Sequence, residues 1–115
     1  MRFVPLSLSL AVALVSCRQT TAPPIAVSVS LVANTAVVPR GDTVTFTVNA
    51  AGNNLVGVVI DYGDEAVDQY ATGGALSARV TFKHVYSVAG NYTVRATVTD
   101  AISGEHEATV SVVVN

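Results

Sequence analysis

Tryptophan is absent from the 115 residues, methionine occurs only at the start, and cysteine occurs once, as Cys17. A single thiol excludes an intramolecular disulfide, and no Cys/His spacing suited to zinc exists. Charge is equally scarce. Only 12% of residues are charged, lysine occurs only as Lys83, and the formal net charge is −2. No basic patch can form from so few cations, which excludes nucleic acid as a partner class. Leucine thins out beyond Leu14, so the alphabet for helices is poor. The length suits one domain and not two.

What is present is β-branched. Half the residues are hydrophobic, and valine, alanine and threonine dominate. Valine and threonine are stiff at χ1 and favour strands.

The first residues form an address. Arg2 supplies a positive start, and Val4 to Val15 is apolar apart from Ser7 and Ser9. About 12 residues suit the apolar core of a secretory signal and fall short of the ~20 that span a bilayer as a helix. The run ends in Leu14-Val15-Ser16-Cys17, which resembles the bacterial lipobox. That resemblance implies a lipoprotein signal peptide over residues 1–16, cleavage before Cys17, and acylation of Cys17 by chains such as palmitate. It also implies an exported protein held to a cell membrane by lipid. One acyl chain binds marginally, at ~0.8 kcal/mol per buried CH₂, so two or three chains are what anchor firmly. Residues 17–24 comprise the lipidated Cys17 and a polar stalk, Arg18 to Pro24, that ends in two prolines. At roughly 3 Å per residue it reaches about 20 Å. Arg18 is not the Asp that retains such proteins at the inner membrane, which favours the outer membrane in a Gram-negative host.

Residues 25–115 read as an all-β domain. Ile25, Val27, Val29 and Leu31 alternate with smaller or polar residues. The same period of two runs through Val44, Phe46 and Val48, and through Val56, Val58, Ile60 and Tyr62. It returns through Ala78, Val80, Phe82, His84 and Tyr86, through Tyr92, Val94, Ala96 and Val98, and through Ala108, Val110, Val112 and Val114. Turn signals separate these runs: Pro39 to Asp42, Ala51 to Asn54, Tyr62 to Asp64, Thr72 to Gly74, Ala89 to Asn91, and Ser103-Gly104. One apolar face per strand predicts two packed antiparallel sheets. Asp64 to Gly74 is expected as a polar connection.

Two segments resemble the PKD domain. Val58-Val59-Ile60-Asp61-Tyr62-Gly63-Asp64 matches its aromatic, Asp, aromatic, Gly, Asp signature. His84-Val85-Tyr86, then Gly90-Asn91-Tyr92-Thr93-Val94 and Val98-Thr99-Asp100, match its later elements. The resemblance implies an immunoglobulin-like sandwich of about seven strands, serving interaction or spacing outside the cell rather than catalysis. Ile60 stands where the family usually has Trp, and Glu65 where it usually has Gly. Glu65 predicts a different turn after Asp64, because glutamate does not accept a positive φ as glycine does.

Asp61, Asp64, Glu65 and Asp68 gather near one turn, and Asp61, Asp64 and Asp68 are the calcium candidates, since hard cations need several oxygens. The competing role is bonding of turn backbone by Asp. His84 shares parity with Phe82 and Tyr86 and is expected as a half-buried structural histidine. His106 is expected in solvent. Tyr62, Tyr86 and Tyr92 are expected in the core, with Tyr92 as a tyrosine corner. Tyr70 is the one aromatic outside the motif and the candidate binding residue. No nucleophile-with-base pair and no phosphate loop appears, so no catalytic residue is named. Two readings of function stay open. One is a membrane-anchored module that binds an envelope or surface protein or fills space. The other is a carbohydrate-binding module for polysaccharide, for which aromatic platforms are few.

Overall fold

The structure, a computed structural model, describes residues 25–115. Cys17 and the expected signal peptide and stalk lie outside the described residues. Within them the strands are β1 (Ser28–Ala33), β2 (Val37–Val38), β3 (Thr43–Asp61), β4 (Val67–Val85), β5 (Gly90–Asp100) and β6 (Gly104–Val114). Among the described residues no helix is long and apolar enough to cross a membrane.

Hydrogen bonding joins the strands in the order β1-β3-β5-β6-β2, with β4 on β3. The register shows how this path folds into two layers. The first half of β3 pairs with β1, from Phe46 opposite Ala33 to Ala51 opposite Ser28. Its second half pairs with β5, from Leu55 opposite Asp100 to Asp61 opposite Arg95. β4 follows β3 throughout, with register shifts between Ala51 and Gly57. Both strands therefore bend from one layer into the other without ending. The chain makes the same crossing after β1, since β2 runs parallel to β6 at Val37 and Val38.

This explains why six continuous strands replace the expected seven or so. Ala51 to Asn54 and Thr72 to Gly74, expected as turns, are the bends. Gly73 and Gly74 take φ of 62° and 85°, which L side chains resist. Thr72 Oγ1 donates to the Leu55 carbonyl at 2.6 Å across the bend. The expected polar connection from Asp64 to Gly74 is therefore mostly strand. Its polar residues misled the pattern because this half of β4 lies at a sheet edge, where little burial is imposed. Val56 is corrected as well. The register shift between Leu55 and Gly57 turns it outward, and Leu55 takes the buried place.

The core lies between the layers. Val44, Phe46 and Val48 of β3 face Val94, Ala96 and Val98 of β5 and Val112 of β6, with Leu55, Val58 and Ile60 beside them. Each fully buried Val, Ile, Leu or Phe side chain contributes about 1.5–3 kcal/mol. Ile60, in the tryptophan position of the motif, is fully buried.

Candidate functional site

The motif residues collect at the two ends of the sandwich. At one end the β3–β4 turn meets β4 and β5. The rings of Tyr62 and His84 stack with centroids 3.9 Å apart, His84 meets the edge of Tyr86 at 4.8 Å, and Tyr86 stacks on Tyr92 at 4.4 Å. Strand periodicity makes the column possible. His84 is on β4 and Tyr86 follows one residue past its end, so the two, two residues apart in extended chain, share a face.

Each tyrosine hydroxyl of this column, and His84 Nε2, has a partner. His84 Nε2 lies 2.7 Å from Asp64 Oδ2, and the Tyr62 hydroxyl donates to Asp68 Oδ2 at 2.7 Å. The Tyr86 hydroxyl donates to the Tyr62 carbonyl at 2.8 Å. The Tyr92 hydroxyl donates to the Val88 carbonyl at 2.6 Å, the geometry of a tyrosine corner. Burial pushes the Tyr62 and Tyr86 hydroxyls far above their usual range, and neighbouring carboxylates, Asp68 and Asp64 first among them, add to it. Both stay neutral donors at any physiological pH. Tyr62 and Tyr86 are buried, whereas Tyr92 and His84 are half-buried.

The turn itself is held by the carboxylates. Asp61 Oδ1 accepts from Gly63 N at 2.9 Å, and Asp64 Oδ1 from Ala66 N at 3.2 Å. Gly63 has φ 84°, and a Cβ there would stand 2.7 Å from the Thr93 carbonyl oxygen. Glu65 adopts φ 75°. This corrects the expected change of turn. The glutamate takes the left-handed conformation that glycine would occupy, because the bonds on either side over-determine the backbone. Asp61, Asp64 and Asp68 each serve a different partner. Among the described residues no three His, Cys, Asp or Glu side chains converge to hold a metal ion.

The opposite end rests on Asp100. Its side chain is 1% exposed. Oδ2 accepts from Asn53 N and Asn54 N, both at 2.7 Å, and Oδ1 from Ile102 N at 2.8 Å and Ser103 N at 3.0 Å. Desolvation opposes its charge, but these four backbone bonds outweigh it and lower the pKa to about 2. The carboxylate thus satisfies donors in the β5–β6 turn and donors released where β3 bends. Gly52 must be glycine, since a Cβ there would meet Asp100 Oδ2 at 2.5 Å. Asn53 also accepts from Ile25 N at 3.0 Å and donates to the Ile25 carbonyl at 2.8 Å. The start of the described chain is clamped here. The pattern of residues gave Asp100 only a motif place. The signal for its role was an Asp directly before the Ala-Ile-Ser-Gly turn.

Tyr70 lies between the two ends, opposite Val58 in the register. It is 55% exposed. Val56, Val59, Gln69 and Thr99 line a shallow groove beside it. Among the described residues no strand pairs with the outer edge of β4. His106, expected in solvent, is half-buried, with Nε2 3.3 Å from the Ser103 carbonyl oxygen. The β5–β6 turn folds back over it.

Comparison with known proteins agrees with this architecture. The family model of the PKD domain matches residues 28–114. No curated protein sequence matches the chain. Among solved structures, the PKD domain of an M14-like peptidase from Thermoplasmatales archaeon SCGC AB-540-F20 is similar, with TM-score 0.63 and 24% identity over 81% of this chain and 96% of that one. The CARDB domain of a Pyrococcus furiosus protein, solved in complex with di-metal ions, gives TM-score 0.59 and 19% identity over 79% and 93%. The PKD domain of the human VPS10 domain-containing receptor SorCS2 gives 0.54 and 23% over 84% and 80%. These likenesses show the fold.

Proposed function

The chain belongs to the PKD domain family, and from that premise we propose that it is a non-catalytic module, anchored to a membrane through Cys17, for protein interaction or spacing at the bacterial cell envelope. PKD domains are immunoglobulin-like modules that generally lack catalysis. The observation that carries the reading is where the motif side chains point. His84, Tyr62, Tyr86, Tyr92, Asp61, Asp64, Asp68 and Asp100 are each engaged in bonds inside the domain. The residues with chemistry hold the fold. Recognition then falls to the outside, where the unpaired edge of β4 can accept a further strand.

The exposure of Tyr70 beside a shallow groove favours a second reading, a carbohydrate-binding module. A single ring offers little stacking area for sugar, so protein ranks first. Asp61, Asp64 and Asp68, the calcium candidates, each bond a different partner within the domain, which favours the structural role over calcium.

Two measurements test the proposal. Cys17→Ser should release the protein from the membrane fraction. Persistence of the Ser variant there, with no fatty acid incorporated into the unmutated protein, refutes the anchor. Crosslinking in cells, set beside a glycan array, separates the partners. Glycan binding that is lost in Tyr70→Ala, with no protein captured, replaces the first reading by the second.

A further inference from the structure

The end of the sandwich held by Asp100 carries an unusual surface. Ile25, Leu76 and Ile102 are 57%, 68% and 61% exposed, and Val56 is exposed beside them. Hydrogen bonds and strand register bring their segments together. Asn53 binds Ile25 and also donates to Ser103 Oγ at 3.2 Å. Ala101 N donates to the Asn54 carbonyl, and Ala75, next to Leu76, lies opposite Leu55. The segments that carry these four side chains thus meet at one tip, with Val56 on the side that faces the Tyr70 groove.

Charge divides the molecule the same way. From Gln69 to Ser77 β4 has no charged residue, and Asp100, the one charge in the β5–β6 turn, is buried. The first exposed charges away from the tip are Arg79 on β4 and Glu105 on β6. The far end holds Asp42, Asp61, Asp64, Glu65 and Asp68 against Arg40, Lys83 and Arg95, the last opposite Asp61 in the register. Val32, Val37, Val67, Val85, Val88 and Val113 are exposed too, but they lie along the strands or toward that acidic end.

The start of the described chain selects what covers the tip. Ile25 is itself part of it, and Cys17 precedes Ile25 by eight residues. Eight residues span at most about 29 Å. On the anchored reading, the apolar tip is where the tether to the acylated sulfur joins the described domain. We propose that this tip is a lipid-contacting surface: Ile25, Leu76 and Ile102, with Val56, rest in the interfacial region of the bilayer that holds the anchor. The inference rests on the anchored reading above. Exposed apolar side chains gain by entering the interface. A contact too weak to hold a free domain is populated once a short tether makes it intramolecular. The acidic end is repelled by anionic headgroups, which sets the orientation. The Asp61–Asp68 turn and the aromatic column then point away from the membrane.

The test uses the full lipidated chain in vesicles of phosphatidylethanolamine and phosphatidylglycerol. A cysteine introduced at Ile102, Leu76, Val88 or Val67 is the free thiol, since Cys17 carries lipid, and takes an environment-sensitive fluorophore. At Ile102 and Leu76 we expect a blue shift and several-fold stronger quenching by lipids spin-labelled near the headgroup than at Val88 and Val67. Adding Ile102→Asp should weaken quenching at Leu76 while the protein still floats with the vesicles. Equal quenching at all four positions in a floating protein overturns the tip and leaves the anchor standing. A blue shift without lipid quenching means that a second copy covers the tip, and also overturns it. Failure to float, with Cys17 free to react, overturns the anchor and the tip with it.

Discussion

The two ends of this sandwich solve one problem by different means. Each must close turns between layers and leave no buried backbone donor or acceptor without a partner. The Tyr62–His84 end does so with several side chains that lean on one another: four rings in contact and three carboxylates with separate partners. The Asp100 end does so with one carboxylate that four backbone donors share. The first arrangement is distributed and the second is centralised. A distributed network loses a part when one residue changes, whereas a centralised one loses the whole end.

Asp100→Ala is the sharpest way to break that comparison, and the largest effect is expected there. It leaves four part-buried N–H groups without their acceptor. Tm should fall by roughly 20 °C or more, or the cooperative transition should vanish. Acid should act on the same group. Its folded pKa, about 2, lies below the unfolded value near 4. Its contribution is therefore complete above pH ~4 and is lost as pH falls through 2. Denaturation midpoints measured down that range should drop in the unmutated protein, and the drop should be smaller in Asp100→Asn.

Single changes at the distributed end should cost less. Tyr92→Ala removes a half-buried ring that stacks on Tyr86 and bonds Val88, and about 2–3 kcal/mol should be lost in urea denaturation. Tyr86→Phe keeps the ring and orphans the buried Tyr62 carbonyl, for about 1–2 kcal/mol. If either exceeds the loss in Asp100→Ala, the contrast between the ends is wrong. The smallest effect has the opposite sign. Glu65→Gly relieves the left-handed residue and should stabilise by up to about 1 kcal/mol, the gain being limited by glycine's unfolded-state entropy. A loss on that substitution would mean that the Glu65 side chain contributes a contact that outweighs the strain.

The proposed anchor and signal peptide fall outside the described residues and rest on Cys17 and the run before it. For the domain, much was legible. Alternation marked Val44–Phe46–Val48 and Val94–Ala96–Val98 as inward, because a strand with one buried face must place side chains with period two. The motif marked Tyr62 and Tyr86 as core and parity marked His84 as half-buried, whereas Tyr92, expected in the core with them, is half-buried. Their partners were less visible. That Tyr62 takes Asp68 and His84 takes Asp64 depends on how the β3–β4 turn folds over β4, and no spacing along the chain contains that.

Composition and local pattern by themselves determined the all-β class, the inward faces of most strands and the places of the motif residues, because these depend on steric preferences and nearest neighbours. Tertiary structure alone decided that Ala51–Asn54 and Thr72–Gly74 bend continuous strands rather than end them. It alone turned Val56 outward, gave Asp100 donors from two distant segments, and gathered Ile25, Leu76 and Ile102 on one tip. Each of these outcomes depends on pairing between residues far apart in the chain, where the free energy lies in contacts that exist only once both layers have formed.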